Sequence, residues 1–405
     1  MATVLPFKAI RPSKDKVHLV VTRAIEAYSD DVLNIRLRTN PYSFLHVLLP
    51  DFLAEEKFQS HSRDKSEAIY NNFQSYIDQK ILLKDKVPHF YVYRQKSNHG
   101  TITGLIGLAD TADYENGTIL KHEETLSQRQ SGLADHLEAC PINTEPICFF
   151  YENNTKLESL IHTICLSEPT YDFSTVDENR HTLWKVADEE FTKRIEAGFK
   201  DIGQYYIADG HHRCASAVEQ ANRKKSDNPN HTGTEDYNFM MGVFFSESEL
   251  KVFSFHRLIN SLNGLSDEEF MNRIKTVYQV EEKELYITPT SSNETMMFLR
   301  DQWYQLTLKT ESDKIAADIL TENILNPILG ISDIKHDNRL SFIPETKDIQ
   351  EIEESVLSGN NEVAFSIFPP SKQQIKNLAK NHSSLPPKST WIEPKLRSGM
   401  TVYEF

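Results

Sequence analysis

The sequence predicts an α+β fold with mixed sheets. Three observations carry that expectation. Short apolar runs of strand character are interleaved with amphipathic helical stretches, without a regular strand–helix–strand rhythm. The chain has 405 residues, 39% of them hydrophobic, enough for two or three domains or for one domain with a large insertion. One buried-looking strand, Tyr205 to Ala208, passes through Asp209-Gly210 directly into a helix that runs to about Arg223.

Taken in order, Val4–Ile10 and Val17–Thr22 read as strands, the second compact and apolar, with Lys8, Arg11, Lys14 and Lys16 crowding the connection. Asp30–Arg38 reads as a short amphipathic helix that stops before Asn40-Pro41, because Pro41 disfavours helical geometry at the residue before it. Ser43–Leu49 reads as a strand closed by Pro50, with His46 as a core histidine. Residues 64–83 place Ile69, Phe73, Tyr76 and Ile77 on a helical period. Residues 90–95 and 101–108 flank Ser97-Asn98-His99-Gly100 as a hairpin. Leu126–Cys140 is a helix, Pro146–Tyr151 a strand, Leu157–Ile164 a helix, Leu183–Val186 a strand and Asp188–Phe199 a helix.

After the 205–223 strand and helix, residues 224–236 have loop composition. Tyr237–Phe245 and Val252–Leu258 are strands, and His256-Arg257 is a polar strand end or part of a phosphate pocket. A boundary is expected near 260–266, giving a main domain at 1–262 and a smaller α+β region at 263–405. In the latter, Asp267–Tyr278, 285–287, 295–299 and 303–309 alternate helix and strand. Helices Asp318–Leu329 and Ile349–Ser358, strand 363–368 and helix Ser371–Lys380 follow.

The net charge of −15 argues against general nucleic-acid binding, which needs a basic face to neutralise phosphates. Cys140, Cys148, Cys165 and Cys214 form no CxxC pair and no disulfide framework, which suits a reducing cytoplasm. The N-terminus lacks the apolar segment of a signal peptide, and no run approaches the ~20 apolar residues that cross a bilayer. The expectation is a cytoplasmic protein without a membrane or nucleic-acid partner.

Chemistry concentrates at Asp209-Gly210-His211-His212-Arg213. Gly210 permits a turn that a side chain would obstruct. Asp209 suits an N-cap. His211, His212 and Arg213 then occupy the first helical turn, where bare amides and the dipole favour an anion, and the Arg213 fork suits phosphate. Two readings are open here: a capped helix with a solvated His-His-Arg end, or an anion site. Adjacent histidines beside an arginine, directly after a buried-looking strand, favour the second.

A second group is Lys121-His122-Glu123-Glu124-Thr125. It is not a zincin, because Leu126 stands where the second histidine of His-Glu-x-x-His would be. Glu123 could hold Mg²⁺, which is usually bound by one or two carboxylates plus substrate phosphates. Alternatively, Lys121, His122 and Thr125 could hold a substrate. A helix start with acidic residues in its first turn is the bland alternative.

The Asp209–Arg213 motif with its following small residues resembles the signature of the DUF1015 family. It is also similar to the phosphate-binding motif of ParB/sulfiredoxin-like folds, which include the free serine kinases. Further blocks agree in order: Pro6-Phe7-Lys8-Ala9-Ile10-Arg11-Pro12, Asn40-Pro41-Tyr42-Ser43-Phe44-Leu45-His46-Val47, His122-Glu123-Glu124-Thr125, and Pro386-Pro387-Lys388-Ser389-Thr390 with Pro394-Lys395. The resemblance implies a ParB/sulfiredoxin-like nucleotide-binding element in the main domain, binding ATP or ADP with Mg²⁺. It implies a phosphotransferase acting on the hydroxyl of a small metabolite, such as serine, or else a non-catalytic nucleotide-binding regulator. Glu26 falls at the family's aspartate position, although the usual Pro-Tyr-Asp-Val is absent, and the resemblance makes it the base. His212 joins it in the catalytic set. Asp209, Gly210, His211, His212 and Arg213 bind the phosphates. The tail returns so that Lys388 and Lys395 wall the site. Nucleotide, small-molecule substrate and a homodimer are the expected partners.

Overall fold

A nine-stranded mixed sheet is the centre of the first of two units into which the chain divides. The computed structural model describes residues 2–52, 57–59 and 62–405. The first unit comprises Met1–Leu250 and Pro394–Phe405, the second Lys251–Glu393. The division falls before the expected 262/263 boundary, and residues 394–405 belong with the first unit. The fold is α+β with mixed sheets.

The first unit's strands are β1 (Val4–Leu5), β2 (Phe90–Ser97), β3 (Gly100–Asp110), β4 (Ile119–Leu120), β5 (Ile147–Tyr151), β6 (Tyr171–Ser174), β7 (Arg180–Val186), β8 (Tyr205–Asp209) and β9 (Phe239–Ser246). They run in the order β4-β8-β5-β9-β3-β2-β7-β6, with β1 on β3. The β4–β8 and β5–β9 pairs are parallel, and the remaining pairs are antiparallel. The central strands β5 and β9 are near-continuous apolar runs, as strands covered on both faces require.

The helices of this unit include α1 (Arg63–Asp78), α2 (Ser127–Ala139), α3 (Thr155–Ile164), α4 (Glu189–Asp201) and α5 (His211–Asp227). Leu157, Leu160 and Ile161 of α3 and Ile195 and Phe199 of α4 bury against Phe149, Tyr205 and Phe244. Each such side chain removed from water contributes about 1.5–3 kcal/mol. Cys214 and Ala217 of α5 belong to the same buried core, and both are small enough for close approach.

The tail is built into this unit. Val402 exchanges backbone hydrogen bonds with Ile10, Ser398 with Thr22, and Tyr403 pairs with Asn143. Gly399, at φ 78°, packs so closely on Phe44 that a Cβ would lie 2.6 Å from its ring.

Two expected strands are single helical turns. Val17–Val20 buries Val17 and Val20, three residues apart, and Leu45–Leu48 follows the turn that Asn40 and Pro41 make. A run of four residues is too short to show whether its period is two or three to four. Val4–Ile10 splits into β1 and a separate Ile10–Pro12 strand, which pairs with Leu82–Lys84.

The second unit is a six-stranded sheet with helices at Asp267–Val277, Ile349–Leu357 and Lys372–Lys380. The expected 252–258 strand breaks at Ser254, whose amide and hydroxyl bond Glu345, so Lys251–Phe253 and Phe255–Ile259 join different partners. The strand expected at 285–287 lies instead at Tyr278–Lys283. The helix expected at 318–329 is Ala316–Leu320 running into a wider turn at Thr321–Leu325.

Candidate active site

The register of β8 against β5 slips between Ile207 and Asp209, an irregularity that re-aims the last residue of the strand. Gly210 follows at φ 94°, left-handed backbone that glycine adopts without cost. A Cβ there would lie 3.1 Å from Arg213 Nε and Nη2, so the guanidinium lies across the bare glycine. The turn therefore needs glycine twice, for its backbone and for its neighbour.

Asp209 is not the expected N-cap. Gly210 occupies that position, and no side-chain hydrogen bond caps α5. Asp209 Oδ1 instead accepts the Gly210 amide at 3.0 Å, and Oδ2 accepts from Lys395 Nζ at 3.2 Å. Burial works against the Asp209 charge, but Lys395 and Arg213 outweigh it and hold the carboxyl below its ordinary range. Arg213 Nη1 lies 2.8 Å from Glu145 Oε1 and donates to Pro146 O at 3.0 Å. Burial opposes the Arg213 charge too, and Glu145 and Asp209 more than restore it.

The histidines are in the opposite condition. His211, the first residue of α5, meets His122 edge to face with ring centroids 4.5 Å apart, and its Nδ1 is 3.6 Å from Glu123 Oε2. Both ring nitrogens of His122, His211 Nε2 and His212 Nδ1 are buried without a hydrogen-bond partner among the described residues. Burial pushes His122 down to about 4, against a weaker opposing pull from Asp209. Burial and then the neighbouring His122 hold His211 well below its usual range. Burial and Arg129 lower His212. Buried imidazoles without partners cost about 1–3 kcal/mol each, so they mark a place where structure has yielded to something else.

The structure thus brings together Asp209, Gly210, His211, His212, Arg213, His122, Glu123 and Lys395. Thr125 hydrogen-bonds Gln130 and lines a groove of about 530 Å³ with Tyr114, Lys121, Glu219, Asn222 and Arg223 along α5. Lys388 belongs to the second unit, where its Nζ lies 5.4 Å from the Phe255 ring centroid. Glu26 is exposed in a one-turn helix, Ile25–Ala27. Four residues that the sequence reading passed over complete the site. Glu145 anchors Arg213, Ser398 Oγ bonds Glu145 at 3.3 Å, and Arg397 pairs with Asp177. A buried arginine demands a carboxylate, but nothing in the spacing says which one.

Among the described residues no group of three or more His, Cys, Asp or Glu side chains is arranged to hold a metal. Nor does any helix among them have the length and apolar content to cross a membrane. The arrangement gathers Arg213, Lys395 and the first-turn amides of α5 at one place, which is chemistry for an anion with several oxygens.

The family model described as "Protein of unknown function (DUF1015)" matches residues 4–329. No curated protein matches. Among solved structures, a free serine kinase in complex with AMP is 12% identical, covering 73% of this chain and 90% of its own at a TM-score of 0.34. A conserved hypothetical protein from Pyrococcus furiosus is 13% identical, with 71% and 92% covered at 0.34. SbnI with a C-terminal truncation from Staphylococcus aureus is 13% identical, with 71% and 82% covered at 0.37. Likeness at this level carries no chemistry across, which the site's own groups have to supply.

Proposed function

The chain belongs to the DUF1015 family, and on that footing we propose that its first unit is a nucleotide-dependent phosphotransferase acting on the hydroxyl of a small metabolite. One observation carries the reading. At the β8–α5 junction a helix start without a side-chain cap, Arg213 and Lys395 surround the left-handed Gly210 turn, next to four buried imidazole nitrogens that lack partners among the described residues.

In this reading the phosphates of ATP or ADP lie against the first-turn amides, Arg213 and Lys395. Asp209 is not a ligand: it fixes Lys395 and balances Arg213, so the cations stay where the phosphates need them. His211 and His212, held neutral by burial, donate N–H groups to phosphoryl oxygens and add no charge. Glu26 takes the proton from the acceptor hydroxyl, the contribution of a general base. His122 and Thr125 contact the acceptor. Mg²⁺ would supply charge neutralisation between phosphate oxygens. Glu123 fits that ion as one carboxylate ligand, with phosphates completing the sphere. Free serine is the first acceptor to test.

A second reading, a non-catalytic nucleotide-binding regulator, is favoured by one observation: Glu26 is exposed, in a turn of its own. Calorimetry with ADP and with ATP in Mg²⁺, followed by phosphate-transfer assays on serine and other hydroxyl metabolites, separates the two. Binding with transfer supports the enzyme. Binding without transfer to any acceptor leaves the regulator. No binding of either nucleotide removes both.

A further inference from the structure

Lys395 reaches Asp209 from a tail segment whose backbone is held by Thr22 at Ser398. What fixes Leu396 and Arg397 between them is a separate cluster at the sheet edge. Arg397, 5% exposed, donates from Nη2 to Asp177 Oδ2 at 2.6 Å. Asp177 sits in the turn between β6 and β7 and is itself held there. Thr175 Oγ1 donates to Asp177 Oδ1 at 2.6 Å, and Asn179 Nδ2 bonds Oδ2 at 3.3 Å. Thr175 Oγ1 is in turn 3.2 Å from His181 Nε2, and His181 Nδ1 is 2.9 Å from the Tyr93 hydroxyl. The turn is therefore tied to β2 and β7, a rigid base for one ion pair. On the far side, Ser398 exchanges backbone bonds with Thr22 and touches the carboxylate that anchors Arg213.

We infer that Asp177, through its ion pair with Arg397, is a positioning residue that sets Lys395 against Asp209 and so completes the anion site. Its effect on ligand rests on the phosphate reading above. Its effect on the tail does not. The Asp177 carboxylate stays ionised across working pH. Burial raises the Asp177 pKa, but the Arg397 contact outweighs it and holds the carboxyl at about 2. Burial and then Arg397 press His181 down to about 3, which keeps that imidazole neutral beside the guanidinium.

The test uses the full chain, Asp177→Asn and the conservative Asp177→Glu. ADP with Mg²⁺ is the calorimetric probe, and hydrogen exchange reads the Ser398 and Gly399 amides, which bond Thr22 and Thr144. The inference expects Asp177→Asn to weaken ADP binding roughly tenfold, the worth of one charged contact. It also expects faster exchange at both amides, and both effects restored in Asp177→Glu. If the wild-type protein binds ADP and Asp177→Asn binds it equally well, the inference is overturned. If the wild-type protein binds no ADP, the phosphate reading fails, and exchange alone decides. Unchanged protection in Asp177→Asn then removes the latch, and lost protection that Asp177→Glu restores upholds it.

Discussion

Two buried polar clusters in the first unit are made from nearly the same materials and come out differently. In one, Arg11 forms a two-pronged pair with Asp85, Nε to Oδ2 at 2.9 Å and Nη2 to Oδ1 at 2.7 Å. Tyr91 donates to the same carboxylate at 2.7 Å, Tyr171 meets Arg11 Nη1 at 2.6 Å, and the Tyr171 hydroxyl donates to Pro12 O. The donors and acceptors of that network are spent on one another. In the other, at the β8–α5 junction, Arg213 is paired with Glu145 and Asp209 with Lys395, but four imidazole nitrogens beside them have no partner among the described residues. A satisfied network holds a fold together, and an unsatisfied one marks where the fold has been shaped for a visitor.

The contrast can be broken or sharpened by experiment. The largest effect is expected at the base. Glu26→Gln keeps the size and removes the proton acceptor, so product formation should fall roughly 10²–10⁴-fold while ADP affinity holds. Surviving turnover would take Glu26 out of the mechanism.

Next comes the satisfied network. Asp85→Ala strands Arg11 and Tyr91, and urea unfolding should show a loss of about 3–5 kcal/mol. A loss below 1 kcal/mol would mean that the pair is ornamental and the contrast false.

The third test concerns pH. His122 is held at about 4 in the fold, against an ordinary value of 6.5. The unfolded chain therefore binds more protons between those values, and stability rises with pH across that window. Its share is present above about pH 6.5 and is lost as pH falls through 4, on the order of 3 kcal/mol at most. His122→Leu should flatten that part of the stability–pH curve and leave neutral stability equal or higher, because it removes a polar group without partners. An unchanged slope would show that the ring is paired in solution.

Smallest in free energy is Arg213→Ala, which should weaken ADP binding by about 1.5–3 kcal/mol, roughly 10- to 150-fold. Calorimetry giving wild-type affinity in a folded variant would move the phosphate elsewhere.

Much of the junction was legible in the sequence because it is local. A strand, a glycine and a polar first turn follow one another within nine residues, and the glycine's φ confirms the turn. Long amphipathic helices such as α3 and α4 were legible from their period. Val17–Val20 and Leu45–Leu48 were not, because one turn of apolar residues has no period to read. Lys388 and Lys395 look alike in composition, yet the chain changes unit between Glu393 and Pro394, and no proline or charge pattern announces it. Glu145 and Asp177 were invisible for a simpler reason. A carboxylate that pairs with an arginine far along the chain has no local signature, and only the fold names it.

The place of Gly399 in the chain has a consequence for synthesis. Residues 394–402 emerge from the ribosome after all of the second unit, yet they pair with Ile10, Thr22 and Thr144 and press on Phe44. The segments made first must wait for them, on the order of tens of seconds at ordinary elongation rates. During that wait Ile10 and Phe44 lack the segment that covers them. The β8–α5 junction, which takes Lys395 from the same segment, is complete only once that segment has been made.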